Sequence, residues 1–237
     1  MLNSSLTDKA HQQIKEWIVH YRLKPGARLH VSDLAHALRM SRTPVREALS
    51  MLEKERLIKR EPQKGYRVGT LSMQEIEDLY DLRIALEVLA VRQAAKRMSA
   101  STRRRLCSIL SEFGRLLKTS QKQRILDRGQ DFHVVVLEAS GNQPLAEMGR
   151  AILDRIWVIQ NINLLTTDHF SDAHPQHLQI LEALERGDAK KAALLMEKHL
   201  TQAKKFVLSR LNNGDDILSR MMQGFPSDVV EPQHAKK

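Results

Sequence analysis

The stretch Met40-Ser-Arg-Thr-Pro-Val-Arg-Glu-Ala-Leu-Ser-Met-Leu-Glu-Lys-Glu-Arg-Leu57 decides the fold of the N-terminal part of this chain. Four of its apolar residues recur at the 3.6-residue spacing of one helix face, and they are Val45, Ala48, Leu49 and Leu52. Thr43 can cap this helix, and Pro44 suits its first turn. Arg42 and Arg46 lie near the helix start on other faces, where a helix in a DNA major groove meets base edges. The stretch therefore predicts a DNA-recognition helix.

Short elements on either side of this helix complete a winged helix-turn-helix. Residues 32–38 predict a short second helix with Ser32 as its N-cap, and residues 39–41 form a tight turn. Downstream, residues 57–60 and 66–68 are typical of paired strands. The turn between these strands contains Lys64 and Gly65, so the hairpin is a wing with a basic tip.

These residues resemble the GntR family of bacterial transcription regulators over residues 8–70. The family's winged helix carries a Pro-Gly pair, then Ser-Arg-Thr-Pro-Val-Arg-Glu-Ala-Leu, then a wing with a glycine. The resemblance implies that Arg42, Thr43 and Arg46 contact DNA and that Gly65 approaches the minor groove. We expect Lys64, at the basic tip of the wing, to add attraction to phosphate. Many members also use an arginine early in the second helix, where this chain has Ser32.

An alternative for Arg46 is a purely structural role on the protein surface. Ser50 lies about one helical turn further on and Glu53 about two, so either could be its partner without any contact to DNA.

Composition and charge bound the remaining possibilities. The chain has 237 residues, of which 42% are hydrophobic, and this is enough for two ordinary domains. Residues 1–70 contain 14 Lys and Arg against 7 Asp and Glu, so they hold +7 of the net charge of +10. We expect this excess to meet phosphate. There is no apolar run near 18 residues and the first residues are polar, so we expect a cytoplasmic protein without a membrane contact.

A single cysteine excludes an internal disulfide and fits a reducing compartment. Cys107 falls among Leu106, Ile109 and Leu110, so the pattern indicates a buried apolar position in preference to a redox sensor.

The second half of the chain reads as helical throughout. Ser72 and Glu75 form a capping box that opens the first helix, and breaks follow at Gly141 and Gly187. The predicted helices cover residues 72–98, 101–119, 121–139, 143–166, 173–186 and 189–211. We therefore predict a mainly α protein. Its parts are a winged helix-turn-helix domain at 1–70, an all-helical bundle at 71–212 and a flexible tail at 213–237.

The helical half resembles the FCD effector domain of the FadR subfamily of GntR regulators. The similar stretches are residues 81–87, 131–142, 177–184 and 187–200. In that family a helical bundle binds a small organic acid, often beside a divalent metal, and also supports dimerisation. The resemblance implies the same partners for this chain.

Three histidines match metal ligands of the family, namely His133, His177 and His199. Imidazoles that project into a bundle core are suitable ligands for zinc, nickel or manganese. The family usually adds an aspartate four residues before the first histidine, but this chain has Gly129 there. We therefore expect a three-histidine site completed by water or effector oxygens. The alternative is a metal-free polar pocket.

Arg83 matches a family position from which a side chain could bind a carboxylate effector. Its alternative role is a buried ion pair with Glu87 or Asp81.

We therefore predict a dimeric transcription regulator, a repressor that reads an inverted-repeat operator and responds to a small carboxylate. Two alternatives remain. Gly129 raises the possibility of a constitutive repressor whose effector pocket has degenerated. Three histidines around an open coordination position could instead activate water, as in a metal-dependent hydrolase. We expect no enzyme, because no carboxylate is evidently placed as a general base and the DNA-reading motif would be unexplained.

Overall fold

The computed structural model describes residues 5–20, 22–162 and 168–212, in two compact units that divide between residues 71 and 72. The tail predicted at 213–237 lies outside the described residues, and so does the end of the helix predicted to reach residue 166. No helix within the described ranges combines the length and the apolar character that crossing a membrane requires.

The N-terminal unit is a winged helix-turn-helix, as predicted. Its elements in chain order are α1 (Leu6–Val19), β1 (Arg28–Leu29), α2 (Val31–Leu38), α3 (Arg42–Lys54), β2 (Ile58–Glu61) and β3 (Gly65–Val68). The strands form an antiparallel sheet in the order β1-β3-β2, and β1 was not predicted from the sequence. The predicted stripe of α3 is fully buried, and α1 packs against this helix.

Both predicted helix caps in this unit are wrong. Helix α3 begins at Arg42 with Ser41 as its N-cap, so Thr43 lies inside the first turn. Helix α2 begins at Val31 after His30, and the Ser32 hydroxyl donates instead to the carboxylate of Asp33, at 2.9 Å. Neither N-cap residue forms a side-chain cap hydrogen bond, so tertiary packing sets these helix starts more than capping does.

The C-terminal unit is a helical bundle. Its elements are α4 (Met73–Ala95), α5 (Ala100–Leu116), α6 (Lys122–Ala139), α7 (Gln143–Ile162), α8 (Asp168–Glu185) and α9 (Ala189–Asn212). The predicted capping box of Ser72 and Glu75 is confirmed. Helix α8 begins five residues before the predicted start at residue 173 and contains Pro175 in its interior.

The bundle core runs along α4, α5, α6, α8 and α9 and includes the fully buried rings of Phe113 and Phe132. The prediction that Cys107 is buried is wrong, because its side chain is exposed. Helix α5 turns Leu106, Ile109 and Leu110 inward, and Cys107, about 100° round the helix from Leu106, falls outside that stripe.

We predict that Leu49→Ala destabilises the N-terminal unit by about 2–5 kcal/mol, because it removes a fully buried side chain and leaves a cavity. Denaturant unfolding of the full chain, followed by circular dichroism, measures the loss. Leu6→Ala is the control, because Leu6 is 58% exposed, and it should change stability by less than about 0.5 kcal/mol. Equal losses in the two variants would contradict the assigned core.

Candidate functional site

The residues predicted to read DNA lie at the start of α3. Arg42, Thr43 and Arg46 are all exposed there, while Val45 and Ala48 of the same turns are buried. The alternative partners for Arg46 fail within the described structure, because no hydrogen bond or ion pair joins Arg46 to Ser50 or Glu53. Its guanidinium is therefore available for an external partner.

The wing presents the other two predicted residues. Lys64 and Gly65 are exposed at the turn between β2 and β3, which closes through a hydrogen bond from the Lys64 N–H to the Glu61 carbonyl. Gly65 has a φ of +84°, in the left-handed region that favours glycine. A side chain at this position would strain the turn, so glycine has a conformational reason in addition to any DNA contact.

The three predicted histidines converge in the core of the bundle. His133 on α6, His177 on α8 and His199 on α9 are buried, and their potential ligand atoms all lie within 4.8 Å of one another. The Nε2 atom of His199 lies 3.1 Å from Nε2 of His177 and 3.4 Å from Nε2 of His133. The ring of Phe132 stacks on His177 with centroids 4.3 Å apart, which fixes the plane of that imidazole.

A buried carboxylate holds His133 from behind. Glu87 on α4 accepts a hydrogen bond from Nδ1 of His133 at 2.6 Å through one oxygen, and from Nε of Arg83 at 2.6 Å through the other. The side chains of Arg83 and Glu87 are 4% and 1% exposed, so this pair is sealed from water. A carboxylate on the outer nitrogen of a histidine orients the ring and raises its basicity as a metal ligand.

An amide holds His199 in the same way. Nδ1 of His199 donates to Oε1 of Gln176 on α8, at 2.6 Å. The Nε2 group of Gln176 in turn donates to Oε1 of Gln202 on α9, also at 2.6 Å. A carbonyl oxygen can only accept, so this bond places the proton of His199 on Nδ1 and leaves a lone pair on Nε2.

This arrangement of protons directs nitrogen lone pairs towards one point, where a cation could bind. His133 and His199 both carry their protons on the outer Nδ1, so two Nε2 lone pairs face each other at 3.4 Å. His177 can donate one proton from its Nε2 to His199, which leaves the lone pair of His133 without a donor. Three nitrogens arranged in this way suit a divalent metal, and none of the described carboxylates joins the group.

Burial and neighbouring charges together determine the charge of Glu87, His133 and His177. Burial by itself raises the pKa of Glu87, but His133 and Arg83 outweigh it and lower that pKa to about 2. Burial lowers the pKa of His133, and it lowers the pKa of His177 well below 6.5 with a further contribution from the nearby His199. The two imidazoles are therefore neutral near pH 7, which is the form that ligates metal. Their burial costs stability as the pH falls below about 6.5, because the unfolded chain then takes up protons that the folded one does not.

Residue 129, where the family usually has an aspartate, has room for a side chain. A Cβ added to Gly129 would lie 3.7 Å from the ring of Phe113, which is ordinary contact. The nearby aspartates do not replace the missing ligand, because Asp131 is paired with Arg128 at 2.6 Å and Asp127 accepts from Gln123 at 3.0 Å. As expected from Gly129, the group of possible ligands within the described chain consists of histidines alone.

Sequence analysis identified the three histidines, but it did not identify the residues that hydrogen-bond to their outer nitrogens. Of the two roles weighed for Arg83, the ion pair with Glu87 is confirmed, whereas binding of an effector stays a prediction. Glu87 was recognised only as that partner, although it lies one turn after Arg83 on the same face and also reaches His133. Gln176 was missed, and its position directly before His177 was the only signal in the sequence.

Comparison with known proteins gives the same two-part organisation. Residues 6–68 match the family model of the bacterial regulatory proteins of the gntR family, and residues 78–202 match that of the FCD domain.

Among curated proteins, the HTH-type transcriptional repressor GlaR of Escherichia coli is 28% identical over 80% of this chain and 90% of its own length. The Nta operon transcriptional regulator of Aminobacter aminovorans is 28% identical over 89% of this chain and 93% of its own. The solved structure of Escherichia coli McbR/YncC superposes with a TM-score of 0.81 at 22% identity, covering 88% of this chain and 100% of that one, and so shares the fold.

We predict that Glu87→Gln lowers the free energy of unfolding by about 3–5 kcal/mol, because it leaves the buried Arg83 without a counter-charge. Glu182→Gln is the matched control, since Glu182 also pairs with an arginine four residues away but is 52% exposed. That change should cost no more than about 1 kcal/mol. Urea denaturation at neutral pH measures both, and similar losses would refute the special role of Glu87.

Proposed function

Because this chain belongs to the gntR family of bacterial regulatory proteins and carries an FCD domain, we propose that it represses transcription under the control of a small carboxylate. It is a DNA-binding transcriptional regulator. The role of repressor is our proposal, and the name of its relative GlaR supports it.

We propose that α3 reads the operator in the major groove. Arg42 and Arg46 would each donate two hydrogen bonds to a guanine, with Thr43 beside them. Lys64 would neutralise phosphate at the wing, where Gly65 lets the backbone approach the minor groove. The exposure of all five residues supports this assignment.

We propose a homodimer, so that each protomer reads half of an inverted repeat. One apolar stripe on α4 supports a second copy as the partner of the bundle. Leu82 and Leu89 are 45% and 44% exposed, and the exposed Ala85 lies between them on the same face. Large apolar side chains that follow one helix face are unusual on a free surface and typical of an interface.

The effector site would be the histidine cluster, and the observation that carries this proposal is the convergence of three buried imidazoles, whose potential ligand atoms lie within 4.8 Å of one another. His133, His177 and His199 would hold a divalent ion such as zinc, nickel or manganese. A bound ion would supply a strong point of attraction for anionic oxygens. Glu87 and Gln176 fix two of the three imidazoles, so the cluster needs little rearrangement to bind.

The charge of the cluster indicates an acid as the effector. Imidazoles bind metal in their neutral form, so three of them cannot balance a divalent ion, and the negative charge of Glu87 is already shared by Arg83 and His133. Arg83 adds positive potential, since its charge lowers the pKa of both His133 and His177. A small carboxylate with a second oxygen donor would supply the missing charge and ligand atoms. We expect it to change operator affinity by about 1–3 kcal/mol.

The absence of a carboxylate at Gly129 also supports a second candidate, a constitutive repressor whose pocket has lost its effector. The two candidates differ in one measurement. Operator affinity that stays constant across metals and carboxylates would favour the constitutive repressor.

We predict that Arg46→Ala loses about 1–3 kcal/mol of discrimination between the operator and an altered half-site, because a bidentate contact to a base is removed. Lys54→Ala is the control, since Lys54 is exposed at the opposite end of α3. Quantitative gel shifts with matched and mismatched operators measure the effect. Unchanged base preference in Arg46→Ala would show that Arg46 does not read a base.

We predict that chelator-treated protein gains thermal stability on addition of zinc, nickel or manganese, and gains more when a small hydroxy- or dicarboxylate is added. A ligand at a hundredfold excess over its Kd contributes about 2.7 kcal/mol. His177→Ala and His199→Ala should abolish the response to metal.

The variant Gly129→Asp adds a carboxylate one turn before His133, so it should strengthen the response to metal alone and weaken the additional effect of the acid. Gln130→Asp is its control, because it adds the same charge about 100° round the helix. No response to metal in either the wild type or Gly129→Asp would point to a metal-free pocket.

A further inference from the structure

A pocket between α8 and α9 reaches the histidine cluster from outside. Its volume is about 290 Å³, and it is open to solvent. His199 lies at its wall, together with Gln176, Gln179, Lys198 and Gln202. The outer side of one proposed metal ligand therefore faces a polar, accessible space.

Two hydrogen bonds across this pocket fix His199. Gln176 on α8 accepts from Nδ1 of His199 on α9, and Gln202 on α9 accepts from Gln176, each at 2.6 Å. The amide of Gln176 thus uses its oxygen and one of its N–H groups to connect the two helices. The bond to Gln176 keeps the proton of His199 on Nδ1, so a change that breaks this bond would let the proton move to Nε2, where the lone pair is needed for metal.

The other two ligands are held differently. His133 is fixed by Glu87, whose side chain is 1% exposed and which is itself held by Arg83. His177 is fixed by stacking on Phe132, and its Nδ1 has no hydrogen-bond partner among the described residues. Gln176 is therefore the outer partner that lies at an accessible surface, and it is neutral where the partner of His133 is charged.

We propose that Gln176 is a positioning residue, which sets the affinity of the histidine cluster for metal by holding His199 with its Nε2 lone pair directed at His133 and His177. This inference rests on the proposed metal site. Outer partners of this kind change metal affinity by about 10–100-fold when they are removed. Gln176 is half-buried at the wall of the pocket and outside the apolar core, so its loss does not have to disturb that core.

The test compares zinc affinity in full-length variants, measured by calorimetry in competition with a chelator. Gln176→Leu removes the acceptor and should weaken zinc binding by about 10–100-fold, whereas the melting temperature of the metal-free protein should change little. Gln176→Glu keeps an acceptor and adds charge, so it should bind zinc at least as tightly as the wild type. Gln202→Leu should cause a smaller loss, because Gln176 keeps its direct bond to His199.

Gln179→Leu is the matched control. Gln179 is an exposed glutamine of the same pocket wall and helix, and no described hydrogen bond connects it to His199, so zinc affinity should not change. Wild-type affinity in Gln176→Leu, together with its loss in His199→Ala, would overturn the inference and leave the metal site standing. Equal losses in Gln176→Leu and Gln179→Leu would also overturn it. Failure of the wild type to bind zinc, or binding that survives His199→Ala, would overturn the metal site itself.

Discussion

The bundle depends on one buried carboxylate. Glu87 is removed from water at a large cost in solvation, and only two short hydrogen bonds, from Arg83 and His133, offset that cost. The three groups are mutually dependent, because the loss of any one of them leaves a buried polar or charged group unpaired. Such an arrangement contributes little net stability over apolar packing. Its value lies in fixing one rotamer of Arg83 and one tautomer of His133 in the centre of the bundle.

This carboxylate also determines how the hydrogen bonds of the histidine cluster are directed. Glu87 directs the lone pair of His133 inward, and Gln176 does the same for His199 from the opposite side. His177, stacked on Phe132, provides the third nitrogen. In a metal-free polar core, the most stable arrangement would pair each acceptor with a donor. Two outer partners that force two lone pairs to face each other oppose that arrangement, and this favours a site for a cation over a merely polar core.

The sequence was most informative where a feature depends on neighbouring residues. The apolar stripe of α3, the capping box at Ser72 and the stop at Gly187 are local, and each was predicted correctly. Features that depend on distant contacts were not predictable in this way. Glu87 and His133 are 46 residues apart, and β1 exists only because it pairs with β3. Cys107 is the exception among local features: its apolar neighbours suggested burial, whereas its helical spacing, about 100° from Leu106, places it outside the buried stripe.

The position of Glu87 on α4 indicates how the site could influence DNA binding. The covalent route from the histidine cluster to the winged helix passes through α4, since α4 begins at Met73 and β3 ends at Val68. Glu87 lies 14 residues into this helix, or about 21 Å from its start at 1.5 Å per residue. A continuous helix transmits a small rotation or shift over that length, because its backbone hydrogen bonds resist bending. Under the proposed function, even a small shift of His133 on binding would act through Glu87 on α4, so the carboxylate that fixes the site also lies on the element that leads to the DNA-binding unit.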